Sequence, residues 1–237
     1  MKKISILALI AFAISSCSED TSTSGSVSIK AAVVSKTGKT SSTGRTSSTV
    51  VINDFKINLG NIELEIDEDD DRYSSDPVFE DVKLDGPFLL DLLEPNKPQS
   101  QFITSIEVPN AKYEEIKYKF TKSLITGDLL GKTFIIKGTI NNKPFVLWSD
   151  KDIELELDFK DPSKDFLIND NRVALYIKIQ LDALMAELNS LANNGLLVDN
   201  DDDGTIEITT GDDDGNSSIG DKLKDLIEKE TYLDDED

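Results

Sequence analysis

Carboxylates are the chemistry-bearing side chains of this chain, and in one stretch their spacing is that of a cation site. The run Asp199-Asn200-Asp201-Asp202-Asp203-Gly204-Thr205-Ile206-Glu207 sets acids at its first, third, fifth and ninth positions and glycine at its sixth. Alternate side chains of a tightly turning loop converge on one point, glycine permits the turn, and the Thr205 carbonyl can add a further oxygen. The predicted ligands are Asp199, Asp201, Asp203, Thr205 and Glu207. The predicted ion is Ca2+, a hard cation that takes roughly six to eight oxygens. The plainer alternative is a solvated acidic turn, since charge runs of this kind recur in surface tails.

Other constellations carry less. Asp67-Glu68-Asp69-Asp70-Asp71 lacks glycine-punctuated spacing and reads as a solvated loop between strands. With 46 acidic residues, carboxylate pairs suited to glycoside hydrolysis must arise by proximity alone, so a carboxylate-based glycosidase remains an alternative with no designated pair. Phe145 and Trp148 offer a sugar-stacking platform, although aromatic residues on strands more often fill a core. There is no histidine, and Cys17 is the single cysteine. That removes the commonest general base, the commonest zinc ligand and any disulfide within the chain. Serine–histidine, cysteine–histidine and zinc chemistries are excluded, and the chain reads as a non-enzyme.

The elements that must position these residues begin after an export leader. Met1-Lys2-Lys3 is basic, the eleven residues from Ile4 to Ile14 carry no charge, and Ser15-Ser16-Cys17 follows, which is the layout of a secretory signal. As a helix that stretch would span about 16 Å, against about 30 Å of bilayer hydrocarbon, so it is a signal and not an anchor. Residues 17–49 are rich in serine and threonine and read as a flexible tether, with Val27 to Ala31 as a first strand within it. From residue 50 to 181 apolar residues recur with period two, as in Phe55-Ile57-Leu59, Ile62-Leu64-Ile66 and Ile153-Leu155-Leu157, the pattern of strands with one buried face. Asn141-Asn142 is a predicted two-residue hairpin turn. Eight or more such strands with no intervening helical pattern predict a mainly β protein, a single antiparallel β-sandwich.

The period changes after Leu181. Leu184, Met185, Leu188 and Leu191 follow helical spacing to Asn193-Asn194-Gly195, and Ile219, Leu223, Leu226 and Ile227 form a second stripe. Residues 182–237 are therefore a helical, acidic C-terminal extension. From Val198 onward there are 16 acids against 3 bases. Loss of Lys2 and Lys3 with the leader takes the formal net charge from −21 to −23. A polyanion of that size does not bind nucleic acid or an anionic membrane face through charge, and it favours cationic partners, calcium above all.

Several resemblances add expectations. Ile14-Ser15-Ser16-Cys17 resembles the lipobox of bacterial lipoproteins, which implies cleavage after Ser16 and lipidation of the Cys17 sulfur with palmitate-type chains. Ser18-Glu19-Asp20 resembles the acidic export signal of Bacteroidetes surface lipoproteins, which implies an outer-membrane, surface-exposed location. The acidic run resembles the calcium loop of EF-hands and dockerins, but Thr210 stands at the twelfth position, where those families place an acid. Asp212, Asp213 or Asp214 are the nearest substitutes. Gly86-Pro87-Phe88-Leu89-Leu90-Asp91-Leu92-Leu93 together with Val108-Pro109-Asn110-Ala111-Lys112-Tyr113-Glu114-Glu115-Ile116 resembles the domain-of-unknown-function 4382 group of Bacteroidetes lipoproteins, which implies a transthyretin-like (prealbumin-like) sandwich over roughly Val50 to Leu181. The functional expectation is a lipid-anchored, non-enzymatic, adhesin-like or structural module, bound to the membrane through its N-terminal lipid and meeting a protein or glycan ligand at the cell surface. An alternative is a fimbria-like assembly subunit matured near Arg45.

Overall fold

The computed structural model describes residues 24–35, 40–42, 49–67, 80–93, 100–158, 166–168, 171–209 and 214–235. The leader 1–16, Cys17, Ser18-Glu19-Asp20, Arg45, Glu68 to Asp71, Thr210, Asp212 and Asp213 lie outside the described residues.

Alternation of apolar and polar residues builds the strands. β1 (Ser24–Val34) buries Val27, Ile29, Ala31 and Val33 on one face. β2 (Thr40–Ser42) is short, and β3 (Thr49–Ile66) runs for 18 residues. β4 (Val82–Asp91), β5 (Ser100–Pro109), β6 (Lys112–Phe120), β7 (Phe134–Ile140), β8 (Lys143–Ser149) and β9 (Ile153–Asp158) follow. Then come β10 (Phe166–Leu167), β11 (Arg172–Gln180), α1 (Leu181–Asn193), β12 (Ile206–Ile208), α2 (Ser217–Lys229) and β13 (Thr231–Asp235).

One sheet has the order β13-β11-β1-β5, and the other β10-β6-β3-β7-β8-β12, with β2 and β4 on β3 and β9 on β6. The protein is mainly β, as expected, but a purely antiparallel sandwich is corrected. β1 runs parallel to β11, and β12 parallel to β8. Parallel neighbours need a long connection rather than a tight reversal. β1 and β11 are separated by most of the chain, and β8 reaches β12 by way of β9, β11 and α1.

Among the described residues one hydrophobic core takes side chains from both sheets and both helices, from Val27 to Leu233. β1 lies inside its sheet, so part of the stretch expected to be tether supplies a core strand. The first strand expected at Val27 to Ala31 is there and extends to Ser24–Val34. Two predicted strands, Phe55 to Leu59 and Ile62 to Ile66, are one strand with a bulge. The register slips between Leu59 and Asn61 against both β4 and β6. A Cβ at Gly60 would lie 2.5 Å from the Thr121 hydroxyl, so only glycine fits where the strand closes on its neighbour. The β7–β8 hairpin turns at Asn141 and Asn142 with φ of 54° and 66°, as predicted.

The C-terminal portion is not helical alone. α1 buries Leu181, Leu184, Met185, Leu188 and Leu191, and α2 buries Gly220, Leu223 and Ile227, which matches the two stripes. Two further strands, β12 and β13, stitch the same portion into the edge of each sheet. Tertiary pairing overrode local pattern here, because three to five residues are too few for a period to register.

Candidate metal centre

The acidic loop is suspended between fixed points. α1 is closed off by Gly195, two residues past its end, whose φ is 65°, and the Leu196 N–H closes back on the Leu191 carbonyl at 3.0 Å. At the other end β12 lies along β8 with Ile206 beside Phe145 and Ile208 beside Leu147. Ile206 and Ile208 are buried, so hydrophobic burial fixes where the loop must finish.

Asp214 and Asn216 brace the loop from behind. Both are buried, at 1 % exposure. Asp214 Oδ1 accepts from the Asn200 N–H at 2.6 Å and Oδ2 from the Glu207 N–H at 2.7 Å. The Asn216 amide donates to the carbonyls of Val198, at 2.9 Å, and Glu207, at 2.8 Å. Two side chains thus pin both ends of the run at a fixed separation.

Inside the loop Asp199, Asp201 and Asp203 each turn the chain with one oxygen. The Gly204 N–H donates to Asp199 Oδ2 at 3.1 Å, the Asp203 N–H to Asp201 Oδ1 at 3.1 Å, and the Thr205 N–H to Asp203 Oδ1 at 2.7 Å. Asp202 and Gly204 take positive φ, 59° and 94°, which aspartate tolerates and glycine adopts freely. Asp199, Asp201 and Asp203 each direct one oxygen into a group whose members all lie within 4.8 Å of one another. The Asp199 side chain is 3 % exposed, and its Oδ1 has no hydrogen-bond partner among the described residues. Burying an unpartnered carboxylate oxygen is costly, so the site presents an acceptor with nothing to accept from.

The electrostatics follow the geometry. Lys143, first residue of β8, pairs with Asp199 Oδ2 and holds that carboxyl below the usual carboxylate range. At Asp201 the Asp203 N–H favours the charged form, but burial and the neighbouring carboxylates of Asp203, Asp199 and Asp214 carry the pKa above its ordinary value. One carboxyl pushed down and its neighbour pushed up is the pattern of like charges crowded around too little positive charge.

Of the predicted ligands, Asp199, Asp201 and Asp203 are brought together. Thr205 follows directly, its N–H on Asp203. Glu207 stands in β12 with its backbone bound to Asp214 and Asn216. Asp214, one of the substitutes considered for the twelfth position, is not grouped with the three aspartates, and each of its oxygens accepts a backbone N–H group. The bracing role of Asp214, and the parts played by Asn216 and Lys143, had no signal in sequence. Lys143 is 56 residues from Asp199, and only the β8–β12 register makes them neighbours.

The remaining candidates resolve differently. Asp67 is buried, and Lys112 is its ion-pair partner across β3 and β6. Phe145 is 2 % exposed in the core, while Trp148 faces outward, with the Lys132 ammonium 5.3 Å from its ring centroid. The two aromatic residues lie on opposite faces of β8, so they form no joint sugar platform. A second group, Glu63, Glu65 and Asp81, had no signal in sequence because cross-strand pairing assembles it. Lys83 meets Glu63 at 2.5 Å, and Lys117 pairs with both Glu65 and Glu115. Two lysines thus offset part of that group's charge, and it has no orphaned buried oxygen among the described residues.

Comparison with protein family models, with curated proteins and with solved structures finds no match for this chain.

Proposed function

We propose that this chain is a lipid-anchored, non-enzymatic module of the bacterial cell envelope whose loop from Asp199 to Glu207 binds Ca2+ and thereby fastens the C-terminal portion to the β domain. The observation that carries the cation reading is the Asp199 carboxylate, almost wholly enclosed, with Oδ1 unpartnered among the described residues and one of its oxygens within 4.8 Å of oxygens of Asp201 and Asp203. Asp199, Asp201 and Asp203 would hold the ion, with the Thr205 carbonyl and Glu207 as further oxygen sources. Bound there, a hard divalent cation supplies charge neutralisation and an oxygen-only coordination shell. The placement supports a structural role, since the loop joins α1 to β12 at the edge of a sheet.

The envelope part of the reading rests on the leader, the lipobox at Cys17 and the acidic Ser18-Glu19-Asp20. It includes an outer-membrane address, a transthyretin-like β domain of the domain-of-unknown-function 4382 type, and a protein or glycan partner at the cell surface. The assembly alternative near Arg45 and the glycosidase alternative have no comparable support. Glycoside hydrolysis wants a carboxyl with raised pKa facing a second one in a substrate groove. Glu65 is raised chiefly by its hydrogen bond with Glu115, yet the pair is a cross-strand contact bridged by Lys117.

Thermal unfolding of the protein in EDTA and in millimolar calcium tests the cation site. Calcium at a hundred times its dissociation constant adds about 2.7 kcal/mol, enough to raise the midpoint by several degrees. The rise should vanish in Asp201→Ala/Asp203→Ala. An equal midpoint in both solutions, or a rise that the double variant keeps, would refute the site. Palmitate labelling of the wild type and its loss in Cys17→Ala tests the anchor.

A further inference from the structure

We infer that Lys143 is a tethered counter-ion that competes with the divalent cation for Asp199, holding the loop in shape when the cation is absent and weakening its binding when present. The inference rests on the calcium reading of the loop and adds its regulation. Asp199 divides its two oxygens: Oδ2 receives the Lys143 ammonium and the Gly204 N–H, Oδ1 has no partner among the described residues, and the same carboxylate belongs to the group formed with Asp201 and Asp203. A cation bound by this carboxylate would therefore share it with an ammonium.

The fold sets up this sharing by position. Lys143 is the first residue after the Asn141-Asn142 turn, and the parallel pairing of β12 with β8 brings the loop against that corner of the hairpin. The Lys143 side chain is 41 % exposed, so its flexible stem has room to swing into solvent. Asp199 has no such freedom, being 3 % exposed and tied to Gly204. The acid is the fixed element and the lysine the movable one. Without a divalent ion, the ammonium offsets part of the mutual repulsion of five carboxylates in nine residues. With one, the positive charges repel by an amount worth about tenfold in affinity, even at the high permittivity of a surface site. A lysine in this place sets the loop to respond at higher calcium than its carboxylates alone would require.

The test is calcium titration by calorimetry on the full-length chain in detergent, with Lys143→Gln and Lys143→Arg beside the wild type, and unfolding midpoints in EDTA and in calcium. Lys143→Gln should bind calcium about tenfold more tightly and unfold at a lower midpoint in EDTA, while Lys143→Arg stays close to wild type. Should Lys143→Gln fail to fold in EDTA, calcium must restore it to at least the wild-type calcium-loaded midpoint, and failure to do so overturns the inference. Equal or weaker calcium binding by Lys143→Gln, with the wild type binding normally, overturns the role of Lys143 and leaves the site standing. Absence of calcium binding by wild type and variant alike overturns both.

Discussion

At the scale of single residues, buried groups matter most where their partners are backbone. Asp214 buries both oxygens on the N–H groups of Asn200 and Glu207. Replacing it with alanine orphans two donors, each costing about 1–3 kcal/mol if it stays dry. Asp214→Ala is therefore expected to lose roughly 2–4 kcal/mol in denaturant unfolding, measured in EDTA so that the cation plays no part. Glu65 illustrates the opposite sign. Its pKa is raised, first by the hydrogen bond with Glu115 and next by burial. A carboxyl raised on folding favours the native state below its unfolded pKa, and that contribution is lost as pH rises through the folded value. Glu65→Gln should thus be more stable than wild type by a few tenths of a kcal/mol near neutral pH, with the gain discounted for its partial exposure and gone below about pH 4. Unfolding midpoints across that range would show the crossover or its absence.

At the scale of elements, turns and edges decide the register. The β7–β8 hairpin needs positive φ at Asn141 and Asn142, and Asn141 also accepts the Thr49 N–H on its side chain at 3.0 Å. Asn142 is exposed and so isolates the backbone effect. Asn142→Gly should be close to neutral and Asn142→Ala should cost about 1 kcal/mol, read from the shift of the urea midpoint at constant slope. The same hairpin carries Lys143, so a slip there would also move the counter-ion away from Asp199. Asn141-Asn142 was legible in sequence because the turn chemistry is local. The β8–β12 pairing was not, because Ile206 to Ile208 is three residues long and finds its partner some sixty residues away.

At the scale of the whole molecule, the two sheets and two helices share one core, and β1 stands between β5 and β11. A chain beginning at Ser24 should fold with a cooperative thermal transition. One beginning at Ser35 should not, since it loses the buried side chains of Val27, Ile29, Ala31 and Val33 and exposes two strand edges. Near-ultraviolet circular dichroism would separate the two outcomes, and a native spectrum from the shorter chain would contradict the central place of β1.

The sequence by itself determined the mainly β character, the two helices, the Asn141-Asn142 turn and the three converging aspartates, because each depends on periodicity or spacing within about a dozen residues. Tertiary structure alone decided the parallel pairs, the membership of β1 in the core, the merging of Phe55 to Ile66 into one bulged strand, and the Glu63, Glu65 and Asp81 group. It also decided what surrounds Asp199. The carboxylate was visible in sequence, but its enclosure, its orphaned Oδ1 and its lysine partner came from elements that meet only when the sheet edge closes on the tail. A residue's type is a local property, whereas its burial and its counter-charges are set by whatever the rest of the chain packs against it.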